Sequence, residues 1–449
     1  MRTKLGIKGF VLAICFLAFG VSVSANDTIR FTWRTYTTNK NIIISATLGE
    51  NFTVYWGDNT YSTYTGAGNY NITAYHTYAV ANDYTVKVLA GSPSCRFTVF
   101  NCSDRSLSSL DVSNSTALEE LYCSYNVLNS LDVGSNMTLR YLYCDNNSLS
   151  SLDVSKSTAL EELYCSSNSL SSLDVSGNTV LRYLYCNNNS LSSLDVSSNT
   201  ALRELVCYYN SLSSLDLSNN TELEAINFSY NSLSNLDLSN NTELEAIDCS
   251  FNRLPLSYLY AFSKMINTQY RKHLGQQTLL PQTVAIGGIV DFSSQAAFGT
   301  PDTPTVFIVE KRGVSADSAI DYIMENGVIT FYNTGIYIVT MTNEAIISNI
   351  NYPVEVIAEF NVGNVGIADA AQEIAEVKIY PNPTTGKLTV KCAETLHATS
   401  VQMFDAVGQV VGTYRIPPEN TEMQIDISHL SAGLYFLKID GKTVKVVKQ

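Results

Sequence analysis

One spacing constrains this chain more than any other feature: 21 residues, kept in register for about eight successive turns. Cys102, Cys123, Cys144, Cys165, Cys186 and Cys207 stand 21 apart, and Phe228 and Cys249 continue the series. Asn126, Asn147, Asn168, Asn189, Asn210, Asn231 and Asn252 follow the same period, as do Asp111, Asp132, Asp153, Asp174, Asp195, Asp216 and Asp237. Each unit has two similar halves, Leu118-x-x-Leu121-x-Cys123-x-x-Asn126 and Leu128-x-x-Leu131-Asp132-Val133-x-x-Asn136. Alternate residues of a strand point to one face, so Leu121 with Cys123, and Leu131 with Val133, are expected to point inward. One such turn cannot bury its leucines alone, whereas stacked turns bury them against each other. At a strand spacing of ~4.8 Å, eight turns span roughly 35–40 Å. The turn asparagines are expected to bridge neighbouring coils, because one amide can both donate to and accept from backbone groups.

Each half has the L-x-x-L-x-L-x-x-N form of a leucine-rich repeat, and the chain from Phe97 to about Leu256 resembles the short, 21-residue bacterial class of that family. The resemblance implies a solenoid of stacked turns, whose ends need covers. Phe97 and Phe100 replace leucines, and Arg105 replaces the asparagine, as expected of a capping repeat. At the far end Leu259, Phe262 and Ile266 fall at helical spacing within Ser257–Ile266, which predicts a capping helix.

The flanks divide as follows. Residues 1–25 read as a signal peptide: Arg2, Lys4 and Lys8, then the apolar Gly9–Val21, then Val23-Ser24-Ala25. Attachment as a lipoprotein through Cys15 is the alternative, against which stands the bulky Ile14. Residues 26–95 alternate short strands with polar turns. Val54-Tyr55-Trp56-Gly57-Asp58-Asn59, Tyr75-His76-Thr77-Tyr78 and Asp83-Tyr84-Thr85-Val86 resemble a polycystic-kidney-disease-type (PKD) β-sandwich, with Asn59 where that family has Gly. The solenoid with its helix is assigned to 96–268. Residues 269–362 again alternate strands and turns, as in an immunoglobulin-like sandwich, and 363–373 read as a linker. Residues 374–449 carry Val377-Lys378-Ile379-Tyr380-Pro381-Asn382-Pro383, Met403-Phe404-Asp405-Ala406-Val407-Gly408 and Gly433-Leu434-Tyr435-Phe436-Leu437-Lys438 in order. This segment resembles the C-terminal sorting domain of the type IX secretion system of Bacteroidetes-like bacteria. The resemblance implies export through the inner membrane, recognition by the secretion machinery at the outer membrane, and release or attachment at the cell surface. The fold expected is therefore mostly β, a leucine-rich-repeat solenoid flanked by β-sandwich domains.

Charge and motifs narrow the function. The formal net charge is −14, and removal of the signal segment leaves 24 basic against 41 acidic side chains, or −17. An acidic chain without a basic patch repels phosphate backbones, which excludes nucleic acid as a partner. No segment after the signal has the length of a transmembrane helix. Four histidines, His76, His273, His397 and His429, are scattered among different segments. No H-E-x-x-H, G-x-S-x-G or phosphate-binding loop is present, so the reading is a non-catalytic protein without cofactor or metal.

Three columns remain to be weighed. Ten cysteines in an exported chain suggest disulfides. Side chains stacked one strand spacing apart are farther than a disulfide allows, and Phe228 shares the column, so buried free thiols are expected. A Cys95–Cys102 bridge stays open. The aspartate column either accepts hydrogen bonds from nearby serines and amides or binds calcium. The third column is aromatic. Tyr122, Tyr143, Tyr164 and Tyr185 occupy the outward position in four consecutive turns, while Tyr141 and Tyr183 alternate with Glu120, Glu162 and Glu204 two residues earlier. These six tyrosines are the candidate ligand-binding residues, since tyrosine is amphipathic and stiff. Cross-strand stacking that merely stabilises the sheet is the competing reading. The partner expected is an extracellular protein in an adhesive role, with a glycan or a purely structural surface role as alternatives.

Overall fold

The computed structural model describes residues 26–448, apart from 36–38, 267–270, 350–352, 364–376, 381–383, 393–400, 406–409, 415–421 and 440–441. The signal segment with Cys15, and 364–373 of the linker, lie outside the described residues. The chain forms two compact units, one of residues up to 279 with 298–303 and 342–356, the other of the remainder.

The first unit begins as a sandwich. Its strands are β1 (Thr28–Arg34), β2 (Asn39–Ala46), β3 (Asn51–Tyr55), β4 (Tyr61–Thr65), β5 (Ile72–Thr77) and β6 (Asp83–Ala90), followed by β7 (Phe97–Asn101) and β8 (Leu107–Asp111). Period-two alternation places Ile29, Phe31 and Trp33 of β1 fully inside. Trp33 stacks on Trp56 at 6.3 Å and donates its Nε1–H to Tyr78 Oη at 3.1 Å, and Tyr78 in turn donates to the Trp56 carbonyl at 2.7 Å. The buried indole and phenol are thereby both hydrogen-bonded, as burial of such groups requires.

The solenoid follows with three-residue strands β9 (Glu120–Tyr122), β10 (Tyr141–Tyr143), β11 (Glu162–Tyr164), β12 (Tyr183–Tyr185), β13 (Glu204–Val206), β14 (Ala225–Asn227) and β15 (Ala246–Asp248). They pair in parallel with a shift of one repeat, so Leu121, Leu142, Leu163, Leu184 and Leu205 form one buried file and their neighbours point out. The cysteine column lies beside it at 0% exposure. The asparagines link the coils: Asn147 Nδ2 donates to the Cys123 and Cys144 carbonyls at 3.0 and 3.1 Å, and its Oδ1 accepts from the Leu128 amide at 3.0 Å.

The N-terminal end is closed by more than a modified repeat. β7 pairs in parallel with β9 on one side and antiparallel with β2 on the other, while β8 pairs antiparallel with β1. Both faces of the first turn therefore continue into the two sheets of the sandwich, one ordered β4-β3-β6-β1-β8 and the other running from β5 through β2 and β7 into the solenoid. Phe97 and Phe100 serve this junction, packing on Phe52 and Phe31 with centroids 5.7 Å apart in each case. Arg105, which stands where later turns have asparagine, reaches Asn41 of β2 through Nε at 2.9 Å and Nη2 at 2.7 Å. The leucine file thus ends on an aromatic core rather than on water.

At the other end the helix α1 (Leu256–Met265) forms and buries Leu256, Leu259 and Phe262. It does not end the solenoid. The chain returns as β16 (Lys272–His273), parallel to β15. Gln277 then repeats the asparagine role: its Nε2 donates to the Cys249 and Leu274 carbonyls at 2.8 and 2.9 Å, and its Oε1 accepts from the Leu254 amide at 3.2 Å. Leu274 follows Cys249 by 25 residues instead of 21, because the helix is inserted within this last turn. A longer side chain substitutes for asparagine in that wider turn.

In the second unit, Val328–Phe331 pairs antiparallel with Ile289–Asp291 and with Tyr322–Glu325, and Phe292, Phe331, Tyr337 and Phe360 share an aromatic core. Toward the C-terminus, Val377–Tyr380, Lys387–Cys392 and Glu422–Asp426 form one sheet, and Val410–Tyr414, Val401–Asp405, Gly433–Ile439 and Lys442–Lys448 form another. Leu388, Val390, Met403, Ile425, Ile427, Leu437 and Val446 are buried together as their core.

Candidate functional site

Parallel pairing of β9 to β12 sets Tyr122, Tyr143, Tyr164 and Tyr185 in a single outward file. A strand spacing of ~4.8 Å is also a ring-stacking distance. The centroids are accordingly 4.9, 4.2 and 4.3 Å apart, and the last pair is nearly parallel at 9°. All four rings are half-buried. Tyr122 donates its hydroxyl to Glu120 at 2.8 Å and Tyr143 donates to Glu162, and the Glu204 carboxylate lies near Tyr185. Burial, and then these carboxylates, raise the tyrosine pKa values above the usual phenol range, so the file is neutral. Tyr141 and Tyr183 flank the file, half-buried, paired in register with those glutamates.

A charged column one residue further out escapes a search for repeated residue types because it alternates. It reads Glu119, Arg140, Glu161, Arg182, Arg203, Glu224, Glu245. Arg140 binds Glu161 at 2.7 Å and lies 5.2 Å from the Tyr141 ring, and Arg203 binds Glu224 at 3.0 Å. The face is a strip of ring edges bordered by ion pairs. Because the inner rings cover one another, they offer edges and bound hydroxyls, not the open ring faces on which a sugar stacks.

A second aromatic file lies at the turn and was not singled out from sequence. Tyr209, Tyr230 and Phe251 stack at 4.1 and 4.3 Å. Their φ angles are 50°, 52° and 55°, in the left-handed region, where equivalent turns carry Asn146, Ser167 and Asn188. The signal available was position: each lies two residues after the cysteine column. Bulky residues rarely adopt this conformation, and stacking offsets part of the cost.

The other columns are accounted for locally. Each aspartate accepts from the amide two residues on, at 2.9 Å for Asp153, Asp174 and Asp195. Hydrogen bonds from Ser155, Ser176 and Ser197 hold those carboxyls below their ordinary range. Among the described residues no group of three or more His, Cys, Asp or Glu side chains is placed to hold a metal ion. Asp58 accepts from Thr60 and lies 2.7 Å from His76 Nε2, while His76 stacks on Trp56 at 4.9 Å, which shapes the sandwich turn.

The column cysteines from Cys102 to Cys249 are free and buried, and so is Cys95, so Cys95 and Cys102 form no bridge. Burial pushes the Cys186 thiol up to about 12 and the rest of the column upward as well. A thiol kept protonated and covered is a poor nucleophile. Iodoacetamide is expected to leave the column unlabelled in the native protein and to label all of it in denaturant, read by peptide mass spectrometry. Labelling of Cys144 or Cys165 under native conditions would contradict this packing.

Comparison with known proteins places a family match on the C-terminus: residues 378–449 match the secretion system C-terminal sorting domain. A curated relative, ulvan lyase NLR42 of Nonlabens ulvanivorans, is 26% identical over 124 residues, which is 27% of this chain and 22% of that protein. Among solved structures, the functional domain of InlJ from Listeria monocytogenes, described as including a cysteine ladder, is 25% identical. That match covers 59% of this chain and 62% of that one at a TM-score of 0.44. A leucine-rich-repeat protein of Leptospira interrogans is 22% identical over 37% of this chain and 44% of its own, with a TM-score of 0.32. The chain therefore spans less than a quarter of the curated relative and under two thirds of the first structural one. No helix among the described residues is long and apolar enough to cross a membrane.

Proposed function

We propose that the protein is exported by type IX secretion and acts outside the cell by binding another protein through the face of Tyr122, Tyr141, Tyr143, Tyr164, Tyr183 and Tyr185. The observation that carries this reading is the four-turn tyrosine file, held in register by the sheet and bordered by Glu120, Glu162 and Glu204. Rigid tyrosines lose little conformational entropy on contact, and aromatic residues with arginine are the side chains enriched at protein interfaces. A strip of stacked rings bordered by charged side chains suits a macromolecular surface better than a small molecule. The covered ring faces weigh against the glycan alternative. The sandwich that precedes the solenoid, PKD-like in its motifs, serves in this reading to close its N-terminal end.

The test is binding of the labelled full-length protein to intact cells of the producing bacterium and its neighbours. Replacing Tyr143 and Tyr164 together by Ala is expected to weaken binding about tenfold or more, as loss of central aromatic anchors does. The accompanying loss of stability from the three ring contacts removed should be about 2–4 kcal/mol. Unchanged binding together with a large drop in melting temperature would leave the file with a structural role alone. Competition by oligosaccharides and not by proteins would favour the glycan reading instead.

A further inference from the structure

The charge pattern of this face is complementary to itself. In the two outer columns, the β9 turn carries Glu119 and Glu120, the β10 turn Arg140, the β11 turn Glu161 and Glu162, and the β12 turn Arg182. Acidic and basic turns thus alternate, repeating every two strands, roughly 9.6 Å. Two copies can meet face to face through a two-fold axis lying in the interface in only two principal ways. An axis along the solenoid sets each turn against its own counterpart, acidic turn on acidic turn and basic turn on basic turn, which brings no opposite charges together. An axis along the strands, between β10 and β11, reverses the order of turns but keeps each column opposite itself. Arg140 then faces Glu161 and Glu162 of the second copy, Arg182 faces Glu119 and Glu120, Tyr143 faces Tyr164, and Tyr122 faces Tyr185.

We infer that the partner of the tyrosine face is a second copy of this chain, docked antiparallel about that axis. This rests on the reading that the face binds protein, and names the protein. Glu119 and Arg182 supply the strongest argument: both side chains are exposed, and neither makes an ion pair among the described residues. The strand-aligned axis brings these two unpaired charges together twice. Arg140 already engages Glu161 through Nε and Nη2, and a guanidinium carries five N–H donors, so a contact across the dimer adds to that pair. The contact is isologous and closes at two copies. The four central tyrosines supply its apolar middle and the charges its rim.

Sedimentation equilibrium of the full-length secreted protein tests the dimer, with two variants. Arg140→Glu with Arg182→Glu makes the outer column acidic across the β9 to β12 turns; Glu119→Arg with Glu161→Arg makes it basic across the same four turns. Neither pair removes a tyrosine or a glutamate that binds one. The wild type is expected to dimerise more tightly at low salt, each variant to weaken self-association at least tenfold, and an equal mixture of the two to restore dimers. Recovery in the mixture shows that both variants are folded. A wild type that stays monomeric to ~100 μM at low salt, or variants that dimerise as the wild type does, would overturn the inference. So would a mixture that stays monomeric while each variant keeps its native circular dichroism. If the wild type is monomeric but the Tyr143→Ala, Tyr164→Ala protein still loses cell binding, the face binds a foreign protein and only the second-copy inference falls. A dimer with undiminished cell binding by that tyrosine variant would uphold the dimer and sink the external-partner reading.

Discussion

A chain ending at Ala375 is expected to carry a complete solenoid and yet remain in the periplasm, while the full chain reaches the cell exterior. The segment removed holds the match to the secretion sorting domain, and its two sheets share one core in which Leu437 is fully buried. If the machinery reads the folded sandwich, Leu437→Asp should retain the protein as completely as truncation does. An unpaired carboxylate in that core costs several kcal/mol, enough to unfold a small domain. Cell fractionation with protease accessibility reads the outcome: a several-fold or greater loss of surface protein in both variants. If the truncated chain reaches the surface as well as the full one, the C-terminal segment is not the export signal. The external-binding proposal would then lose its main support. If truncation retains the protein but Leu437→Asp does not, the signal is a linear stretch rather than a fold.

The second large effect concerns the asparagine ladder. Asn189 donates through Nδ2 to the carbonyls of Cys165 and Cys186 at 3.1 Å and of Asn187 at 3.4 Å, and accepts the Leu170 amide at 2.9 Å. Truncation to Ala strands backbone groups on two adjacent coils, and a cost of ~1–3 kcal/mol is expected. Each kcal/mol lowers the melting temperature by about 2–4 °C in a unit of this size. The internal control lies in the other half of each repeat. Asn199 donates to the Val175 and Asn178 carbonyls at 3.0 and 2.8 Å, but its Oδ1 is buried without a protein partner. That file already admits Ser157, whose hydroxyl donates to the Asn136 carbonyl at 3.3 Å. Asn199→Ser should therefore destabilise clearly less than Asn189→Ser in thermal or urea unfolding. Equal losses at both positions would show that the amide's acceptance of the Leu amide is not what matters.

Stability and recognition are entangled on this surface for a simple reason. Parallel strands repeat at the distance at which aromatic rings stack, so a tyrosine placed for contact in one turn touches the next tyrosine whether or not a ligand is present. Only paired measurements of binding and melting separate the two roles. The charged column is more separable, since Glu119 and Arg182 are exposed and their reversal leaves the ring stack intact.

Much of this architecture is legible in the sequence because it is periodic. Identical spacing of Leu121, Cys123 and Asn126 through successive turns determines which side chains point inward, which way the strands pair and where the amides bridge. Local rules then repeat without reference to distant residues. The six tyrosines are placed on one face by the same logic. What breaks the period could be decided only in three dimensions. The junction of the sandwich with the first turn depends on β2 and β1 pairing with β7 and β8, contacts between segments more than 50 residues apart. The last turn is hidden by the inserted helix, so Gln277 is recognised as a ladder member only from its hydrogen bonds. The stack of Tyr209, Tyr230 and Phe251 follows from turn residues sharing one left-handed conformation, which no composition pattern announces. Sequence by itself determined the repeating interior, because each turn sees the same neighbours. The tertiary structure decided the ends and the turn edges, because there each residue's partners are set by where the chain returns.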